Sequence, residues 1–153
     1  MYTREQASQI KQGFWTRFGK YLLPVLSAEG EKINWINYKT GIRSVSFKMN
    51  ATKDEVSIAI EIVHKDREHA LKLYEQFVFL QSFLEETLEE KWEWESAAEN
   101  EHHQQLSRIS AVYKPCNIFK ETDWPIIISF LKPRIIALDK FWCEHKMIFE
   151  MIG

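Results

Sequence analysis

The chain has 153 residues and a formal net charge of −2 at pH 7, with 45% hydrophobic and 27% charged residues. These values describe a folded chain of about one domain's length and exclude a disordered tail or a collagen-like repeat. No apolar run approaches ~18 residues, so no membrane-spanning helix is expected.

The charge is unevenly placed. Residues 1–53 carry nine basic and three acidic side chains, residues 54–101 carry four and fourteen, and residues 102–153 carry seven and five. The sums are +6, −10 and +2, a distribution that predicts a basic face and an acidic one, either of which steers partners. A solvated acidic helix end at Glu85, Glu86, Glu89 and Glu90 is the plainer account of the acidic run. Cys116 and Cys143 are the only thiols and form no Cys-x-x-Cys pair, so neither a disulfide framework nor a thiol–metal site is indicated. The polar N-terminal stretch lacks a signal-peptide apolar region, and the expected location is the cytoplasm.

Thr3 and Gln6 match a capping box, and Ile10, Phe14, Phe18 and Leu22 recur every four residues, which predicts an opening amphipathic helix. Ile33 to Tyr38 reads as a short strand closed by Lys39-Thr40-Gly41. Val45, Phe47 and Met49 alternate with Ser44, Ser46 and Lys48, the pattern of a strand with one buried face. Val56, Ile58, Ile60 and Ile62 alternate with Ser57, Ala59 and Glu61, the strongest strand signal in the chain. Asp66 then caps one long helix carrying Ala70, Leu73, Tyr74, Phe77, Leu80, Leu84 and Leu88 on one side. Trp92 to Glu95 returns to period two, Ala98 to Gln104 is a polar loop, and Leu106 to Tyr113 is its hairpin partner. Asp123-Trp124-Pro125 starts a last helix that reaches about Phe149, with an acidic cap and a kink at Pro133. The order α-β-β-β-α-β-β-α gives an α+β fold: a mostly antiparallel sheet of about five strands with helices packed on it, in a single domain spanning 1–153.

The chemistry is sparse. The five glycines form neither a phosphate loop nor a dinucleotide fingerprint, and no Ser sits in a Gly-x-Ser-x-Gly elbow, so no cofactor is expected. His102 and His103 fall on a loop tip, and His64 and His69 flank a helix start without a third ligand, so no metal site is assigned. The order also suggests a nuclease core of the PD-(D/E)XK type, which needs an acid on the second strand and Asp/Glu-x-Lys on the third. The second strand has no acid, and Glu61 is followed two positions on by Val63.

Alternation places Ser44, Ser46, Lys48, Ser57, Glu61, Arg108 and Ser110 on the sheet face away from the helices, with Ala59, Glu93 and Glu95. Glu61 and Arg108 pair across strands if the sheet brings them together. Two readings of this face stand. One is a solvent-facing surface with an ion pair worth ~0–1 kcal/mol; the other is a docking face for another chain or a nucleic-acid backbone. Trp35, Tyr38, Lys39 and Arg43 come closest to an aromatic and basic stacking platform for nucleic acid, against the alternative of core packing. The last helix is apolar nearly all round from Ile126 to Leu131, which predicts burial on several sides and self-association through it.

The helix with Phe14-Trp15, the strand Ile58-Ala59-Ile60-Glu61, and Trp92-Glu93-Trp94, Ser107-Arg108-Ile109 and Asp123-Trp124-Pro125 occur in an order that resembles a bacterial family, domain of unknown function number four-two-six-eight. The resemblance covers nearly the whole chain. Members of that family occur alone or C-terminal to PD-(D/E)XK nuclease-like domains, which implies a setting among nucleic-acid-processing or defence proteins and assigns no activity. The resulting expectation is a non-enzymatic interaction module, a homo-oligomer through the C-terminal helix that also takes a protein partner. The alternatives are a nucleic-acid binder using the basic N-terminal third, and a degenerate or unrecognised nuclease-like enzyme using Glu61 and Arg108.

Overall fold

In the computed structural model, which describes residues 2–153, helix α1 begins where its capping residues put it. The Gln6 amide donates to Thr3 Oγ1 (3.1 Å) and the Thr3 amide donates to Gln6 Oε1 (2.9 Å), and α1 then runs Arg4–Leu22 with Phe14, Phe18 and Leu22 buried. Strands β1 (Val45–Ala51) and β2 (Val56–Ile62) come next, then helices α2 (Arg67–Phe79) and α3 (Gln81–Leu88). The hairpin β3 (Glu93–Glu99) and β4 (Gln105–Tyr113) leads through one 3-10 turn to the long helix α4 (Trp124–Ile152). The fold is α+β, and its sheet is antiparallel throughout with strand order β1-β2-β4-β3.

Among the described residues the sheet has four strands, not about five. Ile33–Tyr38 is no strand because its polar and aromatic groups bond to the loop itself and to α4 in place of a neighbouring strand. Trp35 Nε1 donates to the Val25 carbonyl (3.0 Å), and the Tyr38 hydroxyl donates to Asp139 Oδ1 (2.5 Å). The expected single helix from Asp66 to Leu88 is two helices, with Leu80 leaving helical geometry between them (φ −96°, ψ 11°). No Pro or Gly marks that break. Asp123 does not cap α4 through its side chain; its Oδ2 accepts from the Asn117 amide (2.9 Å) and folds the preceding loop. Helix geometry continues through Pro133, and the neighbouring Arg134 Nη1 donates to the Phe130 carbonyl (2.8 Å).

One face of the sheet and the helices enclose the core. Ile58, Ile60, Ile62 and Ile109 come from the strands, and Phe77, Leu131, Leu138, Phe141, Trp142 and Phe149 from the helices. Phe77 sits against three aromatic rings of α4, at 6.2 Å from Phe141, 6.2 Å from Trp142 and 4.3 Å from Phe149.

Asp139, only 2% exposed, ties the long loop after α1 to α4. Besides the Tyr38 hydroxyl, its carboxylate accepts from the Ala28 amide (2.7 Å). Trp142 Nε1 donates to the Thr40 carbonyl (2.7 Å), and Thr40 Oγ1 donates to the Val45 carbonyl (2.7 Å), which fixes the loop to the start of β1. A second tie closes the other end of the helical layer: Arg134 is bidentate to Glu90 (2.9 and 2.7 Å), and its guanidinium lies 4.0 Å from the Phe130 ring centre.

Two substitutions test this account. Asp139→Ala strands the Tyr38 hydroxyl and the Ala28 amide, and urea unfolding should show a loss of about 2–4 kcal/mol. Amide exchange at Ala28 should rise in the folded variant while the β2 amides stay protected; equal exchange across both regions would refute the tie. Phe77→Ala should cost about 3–5 kcal/mol, against no more than about 0.5 kcal/mol for Phe79→Ser at its exposed neighbour site.

Candidate functional site

The face of the sheet away from the helices is open. On it, strand register lays the side chains out in cross-strand rows. Lys48, Ala59, Ser110 and Glu93 form one row across β1, β2, β4 and β3. Ser46, Glu61, Arg108 and Glu95 form the next. Asn50, Ser57 and Val112 form the third. The rows exist because alternation in each strand sends every second residue to this side.

The face is concave, with a cavity of about 1050 Å³. Its floor holds Glu61 and Arg108, whose side chains are 18% and 25% exposed. Arg108 Nε donates to Glu61 Oε2 at 3.4 Å, and Arg108 Nη1 lies 3.9 Å from Glu95 Oε2. One guanidinium is thus shared by two carboxylates from the strands on either side. The lining carries five Glu side chains (Glu55, Glu61, Glu93, Glu95 and Glu101) and three cationic ones (Lys11, Lys48 and Arg108). The cations Lys11 and Lys48 come from α1 and the β1 edge, and Glu93 and Glu95 from the β3 edge, so the face is charged oppositely at its two sides.

Of the residues marked in the sequence, Ser46, Lys48, Ser57, Glu61, Arg108 and Ser110 line this cavity together. Ser44 does not; it is buried just before β1, and its carbonyl accepts from the Val63 amide (2.9 Å). Asn100, Glu101, His102 and Gln104 of the β3–β4 tip join the lining, which alternation alone does not anticipate. The register slips between Glu95 and Ala98, one extra residue in β3, and such a bulge bends a strand and re-aims the residues beyond it. The small residues Ser96-Ala97-Ala98 are the one signal of it in the sequence.

The stacking platform is corrected. Trp35 is 3% exposed and packs within the core, and the Tyr38 ring stacks on Phe47 (5.0 Å between centres) with its hydroxyl held by Asp139. Trp35 offers no free face beside Lys39 and Arg43, which are exposed in the same loop, and one side of the half-buried Tyr38 ring is taken by Phe47. Aromatic packing wins because these rings give the loop a large apolar anchor to β1 and α4.

A second cavity of about 400 Å³ lies beside Tyr38, Asp139 and Cys143. Its groups serve the loop tie. Burial first, and then the neighbouring Asp139, push the Cys143 thiol up to about 12 and raise the Tyr38 phenol far above its ordinary value. Cys116 is buried and raised as well, chiefly by desolvation. Thiols held protonated in this way are poor nucleophiles. Among the described residues no three His, Cys, Asp or Glu side chains converge as metal ligands, and no helix is long and apolar enough to cross a membrane.

No curated protein and no solved structure matches the chain. One family does: the profile of Domain of unknown function (DUF4268) matches residues 10–146, which takes in most of α1, the whole sheet and most of α4. The ordered motifs, the fold they build and this match establish that the chain belongs to the DUF4268 family.

Proposed function

We propose that this chain is a non-catalytic interaction module and that the open face of its sheet is the docking surface for a protein chain. The concave polar face carries the reading. A sheet face left uncovered by its own helices, floored by serines and an ion-paired row, suits a partner with its own polar groups better than an apolar ligand. The excess of carboxylates over cations on the same face weighs against a phosphate backbone as the occupant. Family members fused to nuclease-like domains make nucleic-acid-processing and defence proteins the first partners to test. Capture from the native host separates the outcomes. Ser46→Arg with Ser57→Arg fills the face, and Gln12→Arg alters only exposed α1 surface. Proteins retained by the wild type and by Gln12→Arg should be lost with the double variant, and identical capture by all three would overturn the proposal.

One observation favours a second reading. Glu61 and Arg108 lie at the floor of a cavity, where an enzyme would place a carboxylate and an anion clamp. Against it, Arg108 is already neutralised by two carboxylates, which leaves little positive field for an anionic substrate. Incubation with single- and double-stranded DNA and RNA in the presence of Mg²⁺ or Mn²⁺ tests it. Cleavage that Glu61→Gln abolishes would install the enzymatic reading; intact nucleic acid is the expected outcome.

A further inference from the structure

Resting on the docking reading above, we infer that the occupant of the open face is a second copy of this chain, packed face to face about a twofold axis parallel to the strands. The order of charges along the rows favours this arrangement. A twofold axis running along the middle of the sheet, between β2 and β4, carries β1 over the partner copy's β3 and β2 over its β4. Each row then faces itself reversed. Lys48 stands over Glu93 of the other copy, and Ala59 over Ser110. In the next row Glu61 stands over Arg108 and Ser46 over Glu95. Every charge on these two rows faces its opposite or a small hydroxyl, and because the small pair Ala59 and Ser110 lies at the recessed centre of the row, the closest approach falls at the sheet edges, where Lys48 and Glu93 stand.

The alternative in-plane axis, perpendicular to the strands, lays each strand over its own copy. It brings Lys48 toward Lys48 or Ser46 and sets Glu93 and Glu95 against the same two carboxylates, a like-charge arrangement that opposes association. Lys48 and Glu93 are exposed, and among the described residues neither has an ion-pair partner. They sit three strand spacings apart, ~14 Å at ordinary sheet geometry. Aligned sheets cross at about −30°, which offsets the outer pairs by a few ångströms, a gap long Lys and Glu side chains span. A face four strands wide and about seven residues long presents a footprint of roughly 450 Å² per copy. That places the dimer at the small, polar and wet end of specific interfaces, so it forms at high protein concentration and weakens with salt.

Sedimentation of the full chain over a wide concentration range, at low and at high salt, reads this directly. The wild type should pass from monomer to dimer at low salt, and less so at high salt. Lys48→Glu and Glu93→Lys should each weaken self-association by about tenfold or more, since each sets two like-charge pairs into the interface. An equimolar mixture of the two variants should recover the wild-type dimer, because each altered residue then faces an opposite charge again. Unchanged thermal melts confirm that both variants fold. A chain monomeric at every concentration overturns the self-pairing and leaves the docking reading to its own capture test. A dimer indifferent to both variants, or one dissolved by Met147→Glu on the exposed side of α4, also overturns the inference and moves the contact to the helical layer.

Discussion

A carboxylate buried at the middle of the last helix holds the two ends of the chain in one piece. Among the described residues Asp139 has no cation beside it; its charge is met by a hydroxyl and a backbone amide from a loop that precedes the whole sheet. Such a group is costly to leave unpaired and cheap to keep once both donors arrive, so it acts as a specifier of one arrangement more than as a source of net stability. The loop it fixes has no regular secondary structure of its own from residue 23 to residue 44. Its order comes from this carboxylate, from the Trp142 indole, and from the rings of Trp35 and Tyr38. Those contacts close the core over β1 and leave the opposite side of the sheet uncovered.

The two sides of the sheet obey different rules. On the helix side, isoleucines and aromatic rings form the core, with Asp139 and the Trp142 indole bonded to the loop and Ser107 donating to the Ser96 carbonyl (2.7 Å) at the bulge. On the open side, Ala59 and Ser110 lie between Lys48 and Glu93 in one row, and Glu61 and Arg108 share an ion pair in the middle of the next. Water accommodates any order of polar and charged groups on a sheet face. Oppositely charged margins, in contrast, matter to an approaching surface, since they orient it before contact.

Much of this architecture is legible in the sequence. Period-two alternation in Val45–Met49 and Val56–Ile62 places both strands and sorts their residues to the correct faces, and Thr3 and Asp66 mark two helix starts through their side-chain oxygens. The departures share a cause. Ile33–Tyr38 has strand-forming side chains, yet tertiary bonds to Asp139 and the packing of Trp35 decide its backbone. The break at Leu80 and the bent hairpin tip depend on how distant elements meet, and local periodicity carries no record of that. Trp35 and Tyr38 are ambiguous for the same reason: an aromatic ring beside lysines is composed alike whether it faces solvent or a core.

The loop tie also sets an order of events in synthesis. Tyr38 and Ala28 are separated from Asp139 by 101 and 111 residues. During vectorial translation the segment from residue 23 to residue 44 therefore waits, with its tryptophan and tyrosine uncovered, until the residues of α4 have emerged. The β1–β2 hairpin can form long before that, since its pairing is local. The order of the loop, unlike the pairing of the hairpin, is therefore gained only when the last helix is in place.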